Sequence, residues 1–108
     1  MSDYTAHVMM PDAAIGGALH YALLEIEGVT FATLRAGAGT WLSFGIEAEK
    51  DDEALLKVGA IRRDVSRGDL NEFFLPEGYD DTAIGGFEDA AMIVTHGKTV
   101  VYSEGVTG

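Results

Sequence analysis

Hydrophobic and polar residues alternate with a period of two along several stretches of this chain, and this pattern predicts β-strands. The first such stretch is 18–27, and the glycine at position 28 interrupts it. A second extended stretch, 29–35, follows so closely that we expect a hairpin turning near residues 27 and 28. The apolar residues that alternate in the first stretch are Leu19, Tyr21 and Leu23.

A third strand is predicted over 41–49, after a flexible Ala36-Gly37-Ala38-Gly39 turn. Its apolar residues fall on one face and its glutamates on the other, because successive side chains of a strand point to opposite sides. The C-terminal part reads as another hairpin, with strands over 90–95 and 99–103 joined by His96-Gly97-Lys98. The stretch 4–10 is predicted to add an N-terminal edge strand.

The spacing changes to that of a helix in the middle of the chain. Asp51 or Asp52 can cap a helix over 52–66, and its apolar residues recur every three to four positions. A short second helix is expected over 70–75, before Pro76. The residues of the apolar stripe are Leu55, Val58, Ile61 and Val65. We therefore expect an α+β fold in a single domain of residues 1–108, with an antiparallel sheet of about five strands and the 52–66 helix packed on one face.

One short motif occurs twice. Asp12-Ala13-Ala14-Ile15-Gly16-Gly17 resembles Asp81-Thr82-Ala83-Ile84-Gly85-Gly86, and both precede a predicted hairpin. The two copies are interpreted either as independent turns in which glycine supplies a positive φ, or as equivalent loops that share one surface.

Charge is unevenly distributed along the chain. The protein has 108 residues, 18 acidic and seven basic, and a formal net charge of −11 at pH 7. Five of the basic residues lie within 50–67, so nearly everything else is acidic. A field of this sign repels nucleic acid and anionic membranes and favours a partner protein with a basic surface. No cysteine is present and no signal peptide or membrane span is recognised, so we expect a soluble, cytoplasmic protein.

The acidic residues are the candidate binding site. Glu25 with Glu27, and Glu47 with Glu49, each share a face of a predicted strand, where repulsion between like charges has a cost. We expect this face to imitate a nucleic-acid backbone and to occupy a basic groove on a partner. A solvated surface without a partner is the alternative interpretation. The residues that can extend the face are Glu77, Asp80, Asp81, Glu88 and Asp89.

Catalysis and cofactor binding have little support in the sequence. His7, His20 and His96 lack the spacing of a zinc site, and no serine lies in a nucleophile-elbow context. Neither Gly-Gly pair belongs to a phosphate-binding motif. We therefore assign no catalytic residue, metal or cofactor, and predict that the protein is not an enzyme.

The sequence favours a small acidic non-enzymatic binding protein. Its concrete form is a phage or mobile-element inhibitor of the anti-CRISPR or anti-restriction type, which occupies a basic nucleic-acid-binding groove. The main alternative is a structural subunit of a virion or other homo-oligomeric assembly. In that case Arg62, Arg63 and Arg67 of one copy contact the acidic sheet of the next. A small enzyme or a salt-adapted housekeeping domain ranks third.

Overall fold

A computed structural model of the chain describes residues 2–10, 13–37, 39–66 and 90–105. Within these residues, five strands form one antiparallel sheet in the order β2-β3-β1-β4-β5, and two helices pack on one of its faces. The expected α+β class, an antiparallel sheet of about five strands and the main helix are confirmed, whereas the helix expected over 70–75 lies outside the described residues. In chain order the elements are β1 (Ser2–Met10), α1 (Ala13–Leu24), β2 (Phe31–Gly37), β3 (Gly39–Ala48), α2 (Asp51–Ser66), β4 (Met92–His96) and β5 (Thr99–Glu104).

The connectivity of the elements up to β4 is the split βαβ arrangement of ferredoxin-like folds. Among the described residues the order of these elements is βαββαβ, and their four strands lie in the order β2-β3-β1-β4. β5 extends the sheet beside β4 through a tight hairpin. This arrangement hosts many unrelated functions, so it defines the architecture and not the activity.

The hairpin predicted from 18–27 and 29–35 is wrong, because the first stretch belongs to helix α1 and the turn that follows it. Leu19 and Leu23 are buried one helical turn apart, whereas Tyr21 points away from the core and is 69 % exposed. A strand would have placed all three on one face. The same residues satisfy both a period of two and the i, i+4 spacing of a helix, and packing against the sheet decides between them.

Residues 13–17 of the first copy of the repeated motif lie in α1, so the interpretation of this copy as a turn with positive-φ glycines is wrong. Gly16 and Gly17 are helical, and neither has a positive φ. A Cβ added to Gly16 would lie 2.6 Å from Cδ1 of Leu34 and 3.3 Å from Cγ of Met10. The glycine therefore allows the helix backbone to approach the sheet closely. The second copy lies outside the described residues.

β1 is the central strand of the sheet and not the edge strand that the sequence predicted. It pairs with β3 on one side and with β4 on the other. Its inward side chains, Tyr4, Ala6, Val8 and Met10, are all buried. Residues 4–10 contain no Asp, Glu, Lys or Arg, which suits a central strand. The strand order itself depends on long-range pairing, which cannot be derived from hydrophobic periodicity.

Helix α2 confirms the predicted apolar stripe with small changes. Val58, Ile61 and Val65 are buried against the sheet, Ala54 joins them, and Leu55 is only partly buried. The first turn is stabilised by Glu53, whose carboxylate accepts a hydrogen bond from the backbone N–H of Glu49 at 3.3 Å. This contact satisfies a donor close to the helix N-terminus, as in a capping box.

Two hairpins agree with the sequence analysis. β2 and β3 pair up to Gly37 and Gly39, and the φ of 142° at Gly39 suits glycine. β4 and β5 are joined by the two-residue loop Gly97-Lys98, in which Gly97 has a φ of 63°. Both hairpins turn where glycine occurs in the sequence, which is why they could be predicted.

We expect Gly59→Ala to raise the free energy of unfolding by about 1 kcal/mol, because alanine is the better helix former. Gly59 lies within α2 and is exposed, and a Cβ at this position would meet no atom within 4 Å. Gly17→Ala is the matched substitution in α1, where the added Cβ is equally free of contacts. Urea denaturation followed by circular dichroism measures both, and a loss of stability in Gly59→Ala would show that the position is not an unstrained helical one.

Candidate functional site: the acidic end of the sheet

The strand register brings the start of β1, the end of β3 and the β4–β5 turn to the same end of the sheet. Ser2 pairs with Ala48, and Tyr4 pairs with both Ile46 and His96. The turn after α1 reaches this end as well, since the N–H of Thr30 donates to the carbonyl of Gly45 at 2.8 Å. Helix α2 starts there, directly after β3.

This topology gathers eight carboxylates, which we call the acidic end. Three lysines accompany them among the described residues: Lys50, Lys57 and Lys98. Only two described acidic residues, Asp64 and Glu104, lie outside it. The members of the acidic end are Asp3, Glu25, Glu27, Glu47, Glu49, Asp51, Asp52 and Glu53.

The four glutamates singled out from the sequence all belong to the acidic end. The expectation that each pair lies on one face of a strand is wrong in part. Glu25 and Glu27 lie in the turn after α1 and not on a strand. Glu47 is in β3 as expected, whereas Glu49 directly follows the strand, which ends at Ala48. The two pairs therefore come together through the α1–β2 connection. The candidates Glu77, Asp80, Asp81, Glu88 and Asp89 lie outside the described residues.

Asp3 is a member that sequence reasoning missed. It is exposed and pairs directly with Glu47 across β1 and β3. Like charges in this arrangement destabilise a sheet by a few tenths of a kcal/mol up to about 1 kcal/mol. The alternation of Asp3 with buried Tyr4 and Ala6 already places it on the outer face, but its partner could not be identified without the register.

The acids that open α2 have a structural role as well. Asp51, Asp52 and Glu53 occupy the first turn, where negative charge complements the partial positive charge of the helix N-terminus. Lys57 lies 3.1 Å from Glu53, one helical turn away, and the contact helps to lower the pKa of that carboxyl. Part of the acidic end therefore stabilises the fold whether or not a partner is bound.

Tyr4 links the core to the acidic end. Its side chain is buried, and its hydroxyl donates a hydrogen bond to Oδ1 of Asp51 at 2.6 Å. The ring of His96 stacks on the ring of Tyr4 with the centroids 4.4 Å apart. The hydrogen bond to Asp51, together with burial of the phenol, raises the pKa of Tyr4 to about 12.

This shift predicts a loss of stability at high pH. The pKa of Tyr4 rises from 10.0 to about 12 on folding, so the folded state keeps the proton over this interval. The stabilisation of the folded state that comes from this pKa difference is complete below pH 10 and disappears as the pH rises towards 12. Chemical denaturation of Tyr4→Phe across this range should lack that decline, with Tyr21→Phe as the control for removing an exposed hydroxyl. A decline of equal size in Tyr4→Phe would contradict the assignment.

The arginines proposed for self-association differ in accessibility. Arg62 is buried, with 4 % of its surface exposed, and its Nη2 donates to the carbonyl of Ala90 at 2.8 Å. It also approaches Glu104 at 4.0 Å, so it joins α2 to the β4–β5 hairpin and is not a surface contact. Arg63 is exposed, and Arg67 lies outside the described residues.

A cleft of about 620 Å³ lies between the α1–β2 turn and helix α2. Glu27 and Gly28 line it on one side, and Lys57 and Asp64 line it on the other. Gly28 has a φ of 99°, a left-handed conformation that suits glycine in the turn. The cleft brings an acid of the turn and an acid of α2 to one concavity, a pairing that the sequence analysis did not predict.

A histidine network crosses the outer face of the sheet. Nδ1 of His7 lies 2.7 Å from Oγ of Ser43, and Nε2 lies 3.4 Å from Oγ1 of Thr95. Burial, and then the nearby charge of Arg35, lowers the pKa of His7. Ser43 is 3 % exposed in the middle of β3, so its hydroxyl is not presented to a substrate as a nucleophile must be. We interpret the network as a satisfied cross-strand contact.

The other two histidines are also engaged, one with backbone and one with a ring. Nε2 of His20 lies 2.8 Å from the carbonyl of Ala32, and His96 stacks on Tyr4. Among residues 2–10, 13–37, 39–66 and 90–105, no three histidine or acidic side chains are grouped so as to hold a metal ion. Neither α1 nor α2 is long and apolar enough to span a membrane.

The split βαβ arrangement of the described elements identifies the architecture and not an activity. Comparison with known proteins adds no relative, since no family model, curated protein or solved structure matches the chain.

Proposed function

We propose that this protein is a small, non-enzymatic binding protein whose acidic end occupies a basic nucleic-acid-binding groove on a partner protein. The observation that carries the proposal is the collection of eight carboxylates against three lysines at one end of the sheet. In biological terms, an inhibitor of the anti-CRISPR or anti-restriction type, made by a phage or mobile element, fits this description.

The physical basis is charge complementarity with a groove built for phosphates. Such a groove carries lysine and arginine side chains that normally neutralise the nucleic-acid backbone. Carboxylates held on strand ends and a helix start present a competing array of negative charge without a large ordering cost on binding. Long-range attraction then speeds association and makes it sensitive to salt.

The Asp3–Glu47 pair supports this interpretation. Solubility alone does not require like charges to face each other across two paired strands, where they reduce stability. The net charge of −11 opposes direct binding to nucleic acid or to an anionic membrane. A protein partner in the cytoplasm, bound without a cofactor, is therefore the proposed context. The acidic residues at 77, 80, 81, 88 and 89 remain predicted contacts.

Displacement of DNA tests the proposal. A short fluorescent duplex is bound to a guide-loaded Cas9 complex, and in parallel to several restriction endonucleases, and the protein is titrated into each mixture. We expect it to release the duplex from at least one of these enzymes at low salt, and to do so less effectively as salt increases. If it leaves the DNA bound to every enzyme of the panel, nucleic-acid mimicry is contradicted.

Self-assembly is the second candidate function, and the location of the exposed arginines favours it. Arg35 and Arg63 lie towards the end of the sheet opposite the acidic end, so one copy can present positive charge to the acidic end of another. Contacts of this head-to-tail kind generate rings or filaments. Light scattering should then show oligomers that dissociate in high salt and in Arg35→Gln/Arg63→Gln, whereas a monomer at high concentration and low salt excludes this alternative.

A further inference from the structure

The cleft between the α1–β2 turn and helix α2 combines an apolar lining with negative charge. Its volume of about 620 Å³ is within the range of small-ligand sites in proteins. Ile26 and Val29 line it from the turn, and Ile46 and Ile61 line it from β3 and α2. Three exposed acidic residues, Glu27, Glu47 and Asp64, line the same cleft, and the backbone carbonyl of Glu47 is already bound by Lys57.

The cation in this cleft is already engaged. Nζ of Lys57 donates to the backbone carbonyl of Glu47 at 2.8 Å and lies 3.1 Å from Oε1 of Glu53. Neither Glu27 nor Asp64 forms a salt bridge with another residue of the described part of the chain. The cleft is therefore left with uncompensated negative charge beside an apolar surface.

We propose that this cleft receives a long basic side chain, such as arginine, from the partner protein. Arginine has an apolar stem and a charged head, so it can pack its methylene groups on isoleucine and valine while its guanidinium meets carboxylates. Buried arginine anchors are common among the residues that dominate binding energy at interfaces. The inference rests on the proposed function, because it names the group of the basic partner that the protein recognises.

Nuclear magnetic resonance with a minimal probe tests the proposal without the partner. The uniformly ¹⁵N-labelled full chain is titrated with acetyl-Gly-Arg-Gly-amide. The expected result is saturable shifts of the amide signals of residues that line the cleft, such as Gly28 and Ala60. Acetyl-Gly-norleucine-Gly-amide supplies an uncharged stem and guanidinium chloride supplies the charge alone, and both should give markedly smaller shifts at these residues.

Two charge-matched double variants separate the cleft from the general acidity of the protein. Glu27→Gln/Asp64→Asn should weaken binding of the arginine peptide about tenfold or more, because charge-assisted hydrogen bonds are lost. Glu25→Gln/Glu49→Gln removes the same charge from residues outside the cleft and should change binding less than about twofold. All four side chains are exposed, so the fold is not at risk.

Equal weakening in the two variants would overturn the proposal, as would arginine-induced shifts that are absent or spread evenly over the acidic end. These results are independent of the DNA displacement experiment. Displacement of DNA without any shift in the cleft would reject the arginine site and leave the proposed function intact. Shifts in the cleft without displacement would instead support a basic-side-chain site while contradicting nucleic-acid mimicry.

Discussion

Phe44→Ala is expected to lower the free energy of unfolding by about 3–5 kcal/mol. Phe44 is fully buried in the centre of β3, between Ala6 of β1 and Ala32 of β2 in the sheet. Removal of the ring leaves a cavity between small neighbours that cannot fill it. Single domains of this size have a total stability of about 5–15 kcal/mol, so the variant should be substantially less stable and partly unfolded in moderate urea.

The control is Leu56→Ala, which also truncates a large apolar side chain. Leu56 lies on α2 with 76 % of its surface exposed, so its removal should change stability by no more than about 0.5 kcal/mol. Urea denaturation, followed by the fluorescence of the single tryptophan, Trp41, and by circular dichroism, compares the two. Similar midpoints for both variants would mean that the sheet does not pack on the helices as described.

Hydrophobic periodicity correctly predicted the elements whose apolar spacing fits either a strand or a helix but not both. In β3, Leu42, Phe44 and Ile46 alternate with residues of the other face, and in α2 Val58 and Val65 follow a helical stripe. Glycines marked both hairpin turns. The part of α1 within 18–24 was predicted as a strand because Leu19 and Leu23 fit both periods, and the packing of both residues into the core below the sheet resolves the ambiguity. Local propensity does not contain that tertiary information.

The candidate site was predictable in composition but not in arrangement. The concentration of acids around 25–27 and 47–53 is visible in the sequence. That these segments meet depends on the turn after α1 lying beside the end of β3, where the N–H of Thr30 donates to the carbonyl of Gly45. The pairing of β1 with β3 places Asp3 opposite Glu47, and the packing of the turn and α2 around the cleft brings in Glu27 and Asp64, so neither feature could be read from spacing alone.

Replacing Glu25, Glu27, Glu47 and Glu49 by glutamine is expected to weaken binding to a basic partner about a hundredfold. Each exposed ion pair with a basic groove contributes about 0.7 kcal/mol, and four such losses amount to about 2.8 kcal/mol. The net charge changes from −11 to −7, so association should also become slower. Folding should be retained because all four side chains are exposed and the substitution relieves the repulsion between Asp3 and Glu47.

A charge-matched comparison isolates the acidic end from the total charge of the protein. Asp12→Asn/Asp69→Asn/Glu72→Gln/Glu104→Gln removes four charges as well, from residues that are neither members of the acidic end nor predicted contacts. If binding depends on the total charge of the protein alone, the two quadruple variants should bind the partner equally weakly. A contact made by the acidic end predicts a much larger effect of the first.

The most direct test is the protein concentration that releases half of the labelled DNA from the most responsive enzyme of the panel, measured at one low salt concentration. For the acidic-end variant we predict a concentration about a hundredfold above that of the unmodified protein, and for the charge-matched variant one within about tenfold. An acidic-end variant that displaces DNA as effectively as the unmodified protein, or two variants that are equally impaired, would contradict the account.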